Sequence, residues 1–122
     1  MVWRADLKLI YVFINGSSGA SGTWVQFNDT WQDTDSPVHA TGTPPPGHYE
    51  PLRGFGKLWN TNGFVRQSLG WATDQEVGGM TGAWQEFEHG QALWTSDRKI
   101  YFMYSDDIYQ RFEDTFTVTG EE

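Results

Sequence analysis

The residues of this chain that could do chemistry are carboxylates and aromatic rings. Glu86 and Glu88 flank Phe87, and in a strand that alternation sets both carboxylates on one face, about 7 Å apart over two residues of rise. The distance overlaps glycosidase spacing. An acid pair catalyses, however, only when one carboxyl is desolvated and the other solvated, in a cleft that distorts a sugar. Two solvated strand carboxylates are the plainer reading. Asp33-Thr34-Asp35 and Asp106-Asp107 offer the hard oxygens that calcium takes, yet neither runs on into an EF-hand loop. His39, His48 and His89 are too scattered for a local metal motif. Gly54-Phe55-Gly56-Lys57 lacks both a Walker spacing and a third glycine, and reads as a turn entering a strand at Leu58-Trp59. There is no Gly-x-Ser-x-Gly elbow. The expectation is a chain with no catalytic residue, no metal site and no cofactor; a hydrolase built on Glu86 and Glu88, or on Asp106 and Asp107, is a third-ranked reading.

The rings support a different chemistry. Seven Trp, five Tyr and eight Phe stand among 122 residues, with few long aliphatic runs, so rings must carry most of the burial. Any left outside would be a binding surface, because sugar C–H faces lie flat on indole and phenol rings while Asp, Asn and Gln take the hydroxyls. The candidate ligand-binding residues are Trp24, Gln26, Tyr109, Gln110, Trp84 and Trp94. Trp24 and Tyr109 neighbour Gln26 and Gln110, lie on the opposite strand face from Phe27 and Phe112, and would form two pseudo-equivalent platforms. Burial of the same two rings as core, with the Phe positions a second layer, is the favoured structural alternative.

The elements that must position these rings are written twice. Ile10-Tyr11-Val12-Phe13 leads to Phe27-Asn28-Asp29-Thr30-Trp31, and Ile100-Tyr101-Phe102-Met103 leads to Phe112-Glu113-Asp114-Thr115-Phe116. Each copy reads as an aromatic β-hairpin. In the first, residues 7–14 form a strand buried on much of both faces, a Gly/Ser-rich tip covers 15–22, and 23–27 return. In the second, 99–104 and 108–112 are joined by Ser105-Asp106-Asp107. Aligning the return strands matches Trp24 with Tyr109, Phe27 with Phe112, Asp29 with Asp114 and Trp31 with Phe116. Asp-Thr just beyond each strand is expected to cap it by bonding nearby backbone amides.

Between the copies, residues 32–49 are polar and Pro-rich, with Pro44-Pro45-Pro46 suited to polyproline II as a spacer or a strap. Residues 62–70 carry the one helix signal: Asn62 as N-cap, Val65 and Leu69 one turn apart, Gly70 as stop. Further on, Gly78-Gly79 and Gly82 mark turns, and 83–87 and 91–94 read as short strands.

Charge and length bound the partners. Sixteen acids against eight basic residues give a formal charge of −8, a field that repels phosphates and anionic headgroups; nucleic acid and membrane insertion are therefore excluded as expected partners. Absence of cysteine removes disulfides and thiolate chemistry. The first residues show neither a signal peptide nor a spanning helix, which suggests a cytosolic chain or a mature piece cut from something longer. At 122 residues the chain suits one domain.

Leu69-Gly70-Trp71-Ala72, then Gln85-Glu86-Phe87, Gly90 and Leu93-Trp94, resemble the LGFP repeat of bacterial surface proteins, in which a Leu-Gly pair opens the unit, a Gln-x-Phe segment precedes a Gly and an aromatic pair closes a strand. The wider stretch from Pro51-Leu52-Arg53-Gly54 through Trp59 to Phe116 is similar to a Trp-rich module near the C-termini of bacterial secreted and surface-anchored proteins. Where the repeat has Phe-Pro after Leu-Gly, this chain has Trp71-Ala72. What the resemblance implies is an accessory module at a cell envelope that contacts cell-wall or polysaccharide material, with other domains of a longer parent protein as further partners.

Together these readings predict an all-β domain spanning 1–122, a small barrel or sandwich of two pseudo-repeated aromatic hairpin units with one short helix. The half-units cover about 1–36 and 50–118, joined by a connector over about 37–49. The expected function is a non-catalytic, extracellular or cell-surface binding module for polysaccharide. The alternative is a structural or protein-interaction domain whose aromatics are all buried.

Overall fold

The computed structural model describes residues 1–15, 20–36, 42–76 and 82–115. It is mostly β, with seven antiparallel strands and two short helices: β1 (Val2–Arg4), β2 (Leu9–Asn15), β3 (Ser21–Asn28), α1 (Arg53–Thr61), α2 (Gly63–Leu69), β4 (Gly82–Phe87), β5 (Gly90–Thr95), β6 (Lys99–Tyr104) and β7 (Ile108–Glu113). Both expected hairpins are present, β2 with β3 and β6 with β7. The Gly/Ser tip at 16–19, the turn at Gly78-Gly79, His39 and Phe116 lie outside the described residues.

Two compact units divide the chain, Met1–Ile14 with Val25–Gly78, and Asn15–Trp24 with Gly79–Glu122. Strand β3 therefore gives its first half to one and its second half to the other.

In the first unit, β2 lies between β1 and β3, and Val2, Trp3 and Arg4 of β1 pair with Tyr11, Ile10 and Leu9. Ile10, Tyr11 and Val12 are consecutive and all fully buried, the two-faced burial that the unbroken apolar run predicts. Ile10 and Val12 join Trp59 and Val65 in a core against which Phe27, Phe55, Leu58, Leu69 and Trp71 pack. Full burial of each such side chain contributes about 1.5–3 kcal/mol.

Helix α2 forms where its signals place it. The Asn62 side chain accepts from Val65 N at 3.1 Å, and Gly70 ends the helix at φ 69°, a conformation that suits a residue without Cβ. Helix α1 corrects the expectation of a turn and a strand over 54–59. Leu52, Phe55, Gly56 and Trp59 follow the i, i+3, i+4, i+7 spacing of a helix face; Gly56 and Trp59 on it are buried, and a Cβ on Gly56 would run into the carbonyl oxygen of Pro51. Close packing, not a turn, requires this glycine. Trp59 is fixed twice more: its Nε1 donates to Gly70 O at 2.8 Å, and its ring lies 5.1 Å from that of Trp71. Beyond β3, Lys57 Nζ donates to Thr30 O at 2.9 Å and to Asp35 Oδ2 at 3.3 Å. The Gln32 amide and then Lys57 hold the Asp35 carboxyl below the usual range.

In the second unit the strand order is β3-β7-β6-β5-β4. Ser21, Gly22 and Thr23 pair with Gln110, Tyr109 and Ile108, so the return strands of the two hairpins meet edge to edge. The short strands expected at 83–87 and 91–94 are β4 and β5, paired along their full length from Gly82 with Thr95 to Phe87 with Gly90. Gly82 thus opens a strand instead of marking a turn.

Candidate functional site: an exposed aromatic face

Register decides which rings of the second unit meet solvent. Directly paired residues project to the same side of a sheet. One side carries the rows Glu86, Gln91, Met103, Tyr109 and Trp84, Leu93, Tyr101, Arg111. Leu93, Met103 and Tyr109 on it are fully buried, so this is the covered side. The Tyr101 and Tyr109 rings lie 6.3 Å apart there, and burial pushes both phenols above the ordinary tyrosine range.

The other side carries Phe87, Gly90, Tyr104, then Gln85, Ala92, Phe102, Gln110, then Ala83, Trp94, Ile100, Phe112. It is open and aromatic: Phe87 is 52% exposed, Phe112 47% and Tyr104 37%. These rings, with Phe102 and the turn residues Glu88 and His89, line a groove of about 630 Å³. Its floor is made of small residues. Gly90 sits between Phe87 and Tyr104 at φ 153°, and a Cβ there would strike the carbonyl oxygen of Met103. No side chain stands between them, and the two residues sit two strand spacings apart, about 10 Å. Phe102 and Phe112 meet edge to face at 5.8 Å, the favoured arrangement for such a pair. Tyr104 Oη and Gln110 Oε1 are joined at 2.7 Å, giving the apolar surface one polar rim.

The six candidate ligand residues are thereby separated. Trp94 and Gln110 lie on the open side. Trp84 and Tyr109 lie on the covered side, and Tyr109, 1% exposed, has no ring face to offer a ligand. Trp24 is half-buried and its Nε1 donates to Tyr104 O at 2.9 Å. Gln26 is exposed but belongs to the other unit. The rings that line the groove are Phe87, Phe102, Tyr104 and Phe112, and neither Trp24 nor Tyr109 is among them. Sequence reading passed over these because 100–104 is apolar at every position, and alternation cannot then say which side is in. The available signal was the small pair Gly90 and Ala92, which marks the side with room.

The carboxylates fall apart in the same way. Strand β4 ends at Phe87, so Glu88 belongs to the following turn and Glu86 projects to the side away from Phe87; both are exposed. Asp29 does cap as expected, its Oδ1 accepting from Trp31 N at 3.0 Å. Its counterpart Asp114 accepts from the Trp94 indole, and the amide two residues on, at Phe116, lies outside the described residues. Among the described residues no group of three His, Asp or Glu is arranged to hold a metal, and no helix is long and apolar enough to cross a membrane.

No family model, curated protein or solved structure matches this chain. The likeness to the LGFP repeat rests on its quoted residues alone. Of these, Leu69 packs on the first unit's core, Trp71 lies tilted against Trp59, and Gln85, Phe87, Gly90 and Trp94 share the open aromatic side.

Proposed function

We propose that the chain is a non-catalytic binding module whose open aromatic face takes a polysaccharide at a cell surface. The observation that carries this reading is the exposure of Phe87, Tyr104 and Phe112 around a groove floored by Gly90. A contiguous apolar surface on a folded protein marks an interaction site. Flat rings with a Tyr-Gln polar rim suit the C–H faces and hydroxyls of a sugar. The exposed Glu86 and Glu88 lack the desolvated cleft that acid catalysis needs. A net charge of −8 disfavours anionic polymers. The resemblance to bacterial envelope modules adds the setting, an accessory unit of a longer secreted or surface-anchored protein.

The test is retention on insoluble polysaccharides by the wild-type protein and by Phe87→Ala, Tyr104→Ala and Phe112→Ala. Each variant is expected to weaken binding about fivefold or more, as truncation of a central aromatic contact does. Failure of every polysaccharide to retain the wild type, or retention indifferent to all three substitutions, would overturn the reading.

A further inference from the structure

The turn after β4 lines one end of the aromatic groove and the turn after β6 lies beside it, and their charge says which polysaccharide the groove suits. Glu88 and His89 form the turn after β4, and Ser105, Asp106 and Asp107 form the turn after β6. The two are side by side, since Ser105 N donates to His89 O at 3.0 Å. The two adjacent turns carry three carboxylates, Glu88, Asp106 and Asp107, and one basic side chain, His89, whose Nε2 is 4.0 Å from Glu88 Oε2. Glu88 is 93% exposed and lines the groove. The nearest cation on β6, Lys99, stands at the strand's far end, where it is paired with Glu113 at 2.7 Å.

Resting on the proposed function, we infer that the groove prefers a polysaccharide bearing protonated amino groups, a polymer of amino sugars that are not acylated, over its neutral counterpart. Two features act together. The ring faces of Phe87 and Tyr104 attract an ammonium group lying over them, and Glu88, Asp106 and Asp107 attract it through the field at the groove's end. A neutral sugar uses only the stacking surface, and an anionic sugar is repelled.

The experiment compares β-1,4-linked glucosamine oligomers with the fully N-acetylated oligomers of equal length, by calorimetric titration at a pH below that of the sugar amine's pKa. Wild type is set beside the double variant Glu88→Gln, Asp106→Asn, which keeps the acceptor that Asp106 offers to Ile108 N at 3.2 Å. Wild type is expected to bind the amine form about three- to tenfold more tightly, the effect of two exposed charge contacts. That preference is expected to disappear in the double variant and to shrink at high salt. Equal affinity for the two oligomers, or a preference that survives the double substitution, overturns the inference while leaving the proposed function standing. Failure of both oligomers and of insoluble glycans to bind overturns both. Binding of a polylysine peptide in place of either sugar overturns them as well and assigns the groove to a basic protein partner.

Discussion

The indole of Trp94 donates to Asp114 Oδ2 at 2.9 Å, joining β5 to the residue just past β7 across the intervening β6. Trp94, Ile100 and Phe112 form one cross-strand row on the open side. The bond thus holds an indole beside the exposed rings in one orientation.

Removal of that acceptor should loosen the row. Asp114→Ala is expected to cost about 1–3 kcal/mol, the range for a hydrogen bond to a charged group, and to shift Trp emission to longer wavelength. Asp114→Asn, which keeps an acceptor, should cost less than half as much. Urea unfolding followed by fluorescence measures both, and equal losses in the two variants would show that the indole bond is not what Asp114 supplies.

Helix α2 is specified by its ends. Asn62→Ala removes the acceptor for Val65 N and should cost about 1 kcal/mol. Gly70→Ala forces a side chain onto φ 69° and should cost about 1–3 kcal/mol. Equilibrium denaturation checks both, and a neutral Gly70→Ala would mean that the helix stops differently.

Gly56 is required by space. A methyl group there meets the backbone of Pro51, which cannot swing aside, so Gly56→Ala should lose about 1–3 kcal/mol although alanine is the better helix former. A gain in melting temperature would contradict the packing of α1.

Tyr109 and Phe112, three residues apart on β7, project to opposite sides of the sheet and differ in consequence. Tyr109→Ala empties a fully buried site and should cost about 3–5 kcal/mol, as truncation of a buried ring does. Phe112→Ala, half exposed, should cost less than about 1 kcal/mol while weakening glycan retention. Thermal unfolding and pull-down on the same samples separate the two roles.

Alkaline pH should unfold the second unit early. Burial raises the Tyr109 phenol and, with the Asp97 charge adding, the Tyr101 phenol above the ordinary value of 10.0. An unfolded chain ionises these groups near that value while the folded chain keeps them protonated, so the unfolded state binds fewer protons. Their contribution is complete below about pH 10 and is lost as pH rises toward the folded values. In a spectrophotometric titration read as the difference between wild type and the double variant Tyr101→Phe, Tyr109→Phe, these two phenols should form phenolate only together with loss of the folded signal; phenolate from both near pH 10 in a chain that keeps the folded signal would contradict the burial.

Local chemistry determined much of this protein before folding is considered. The apolar run around Ile10-Tyr11-Val12, the Asn62 cap with its Gly70 stop, and the strands on either side of Gly90 could all be named, because periodicity, capping and turn preference act over a few residues. The aromatic excess likewise announced that rings would carry most of the burial. Tertiary structure alone decided which rings are which. Where Phe102, Met103 and Tyr104 follow one another, both sides of the strand are apolar, and only pairing with Gln110, Tyr109 and the β5 strand assigns Met103 to the interior and Phe102 to the open side. The same holds for Gly56, whose helical place depends on Pro51, and for Asp114, whose partner lies twenty residues away in sequence. Contacts of that kind are set by packing geometry between distant segments, which no local pattern encodes.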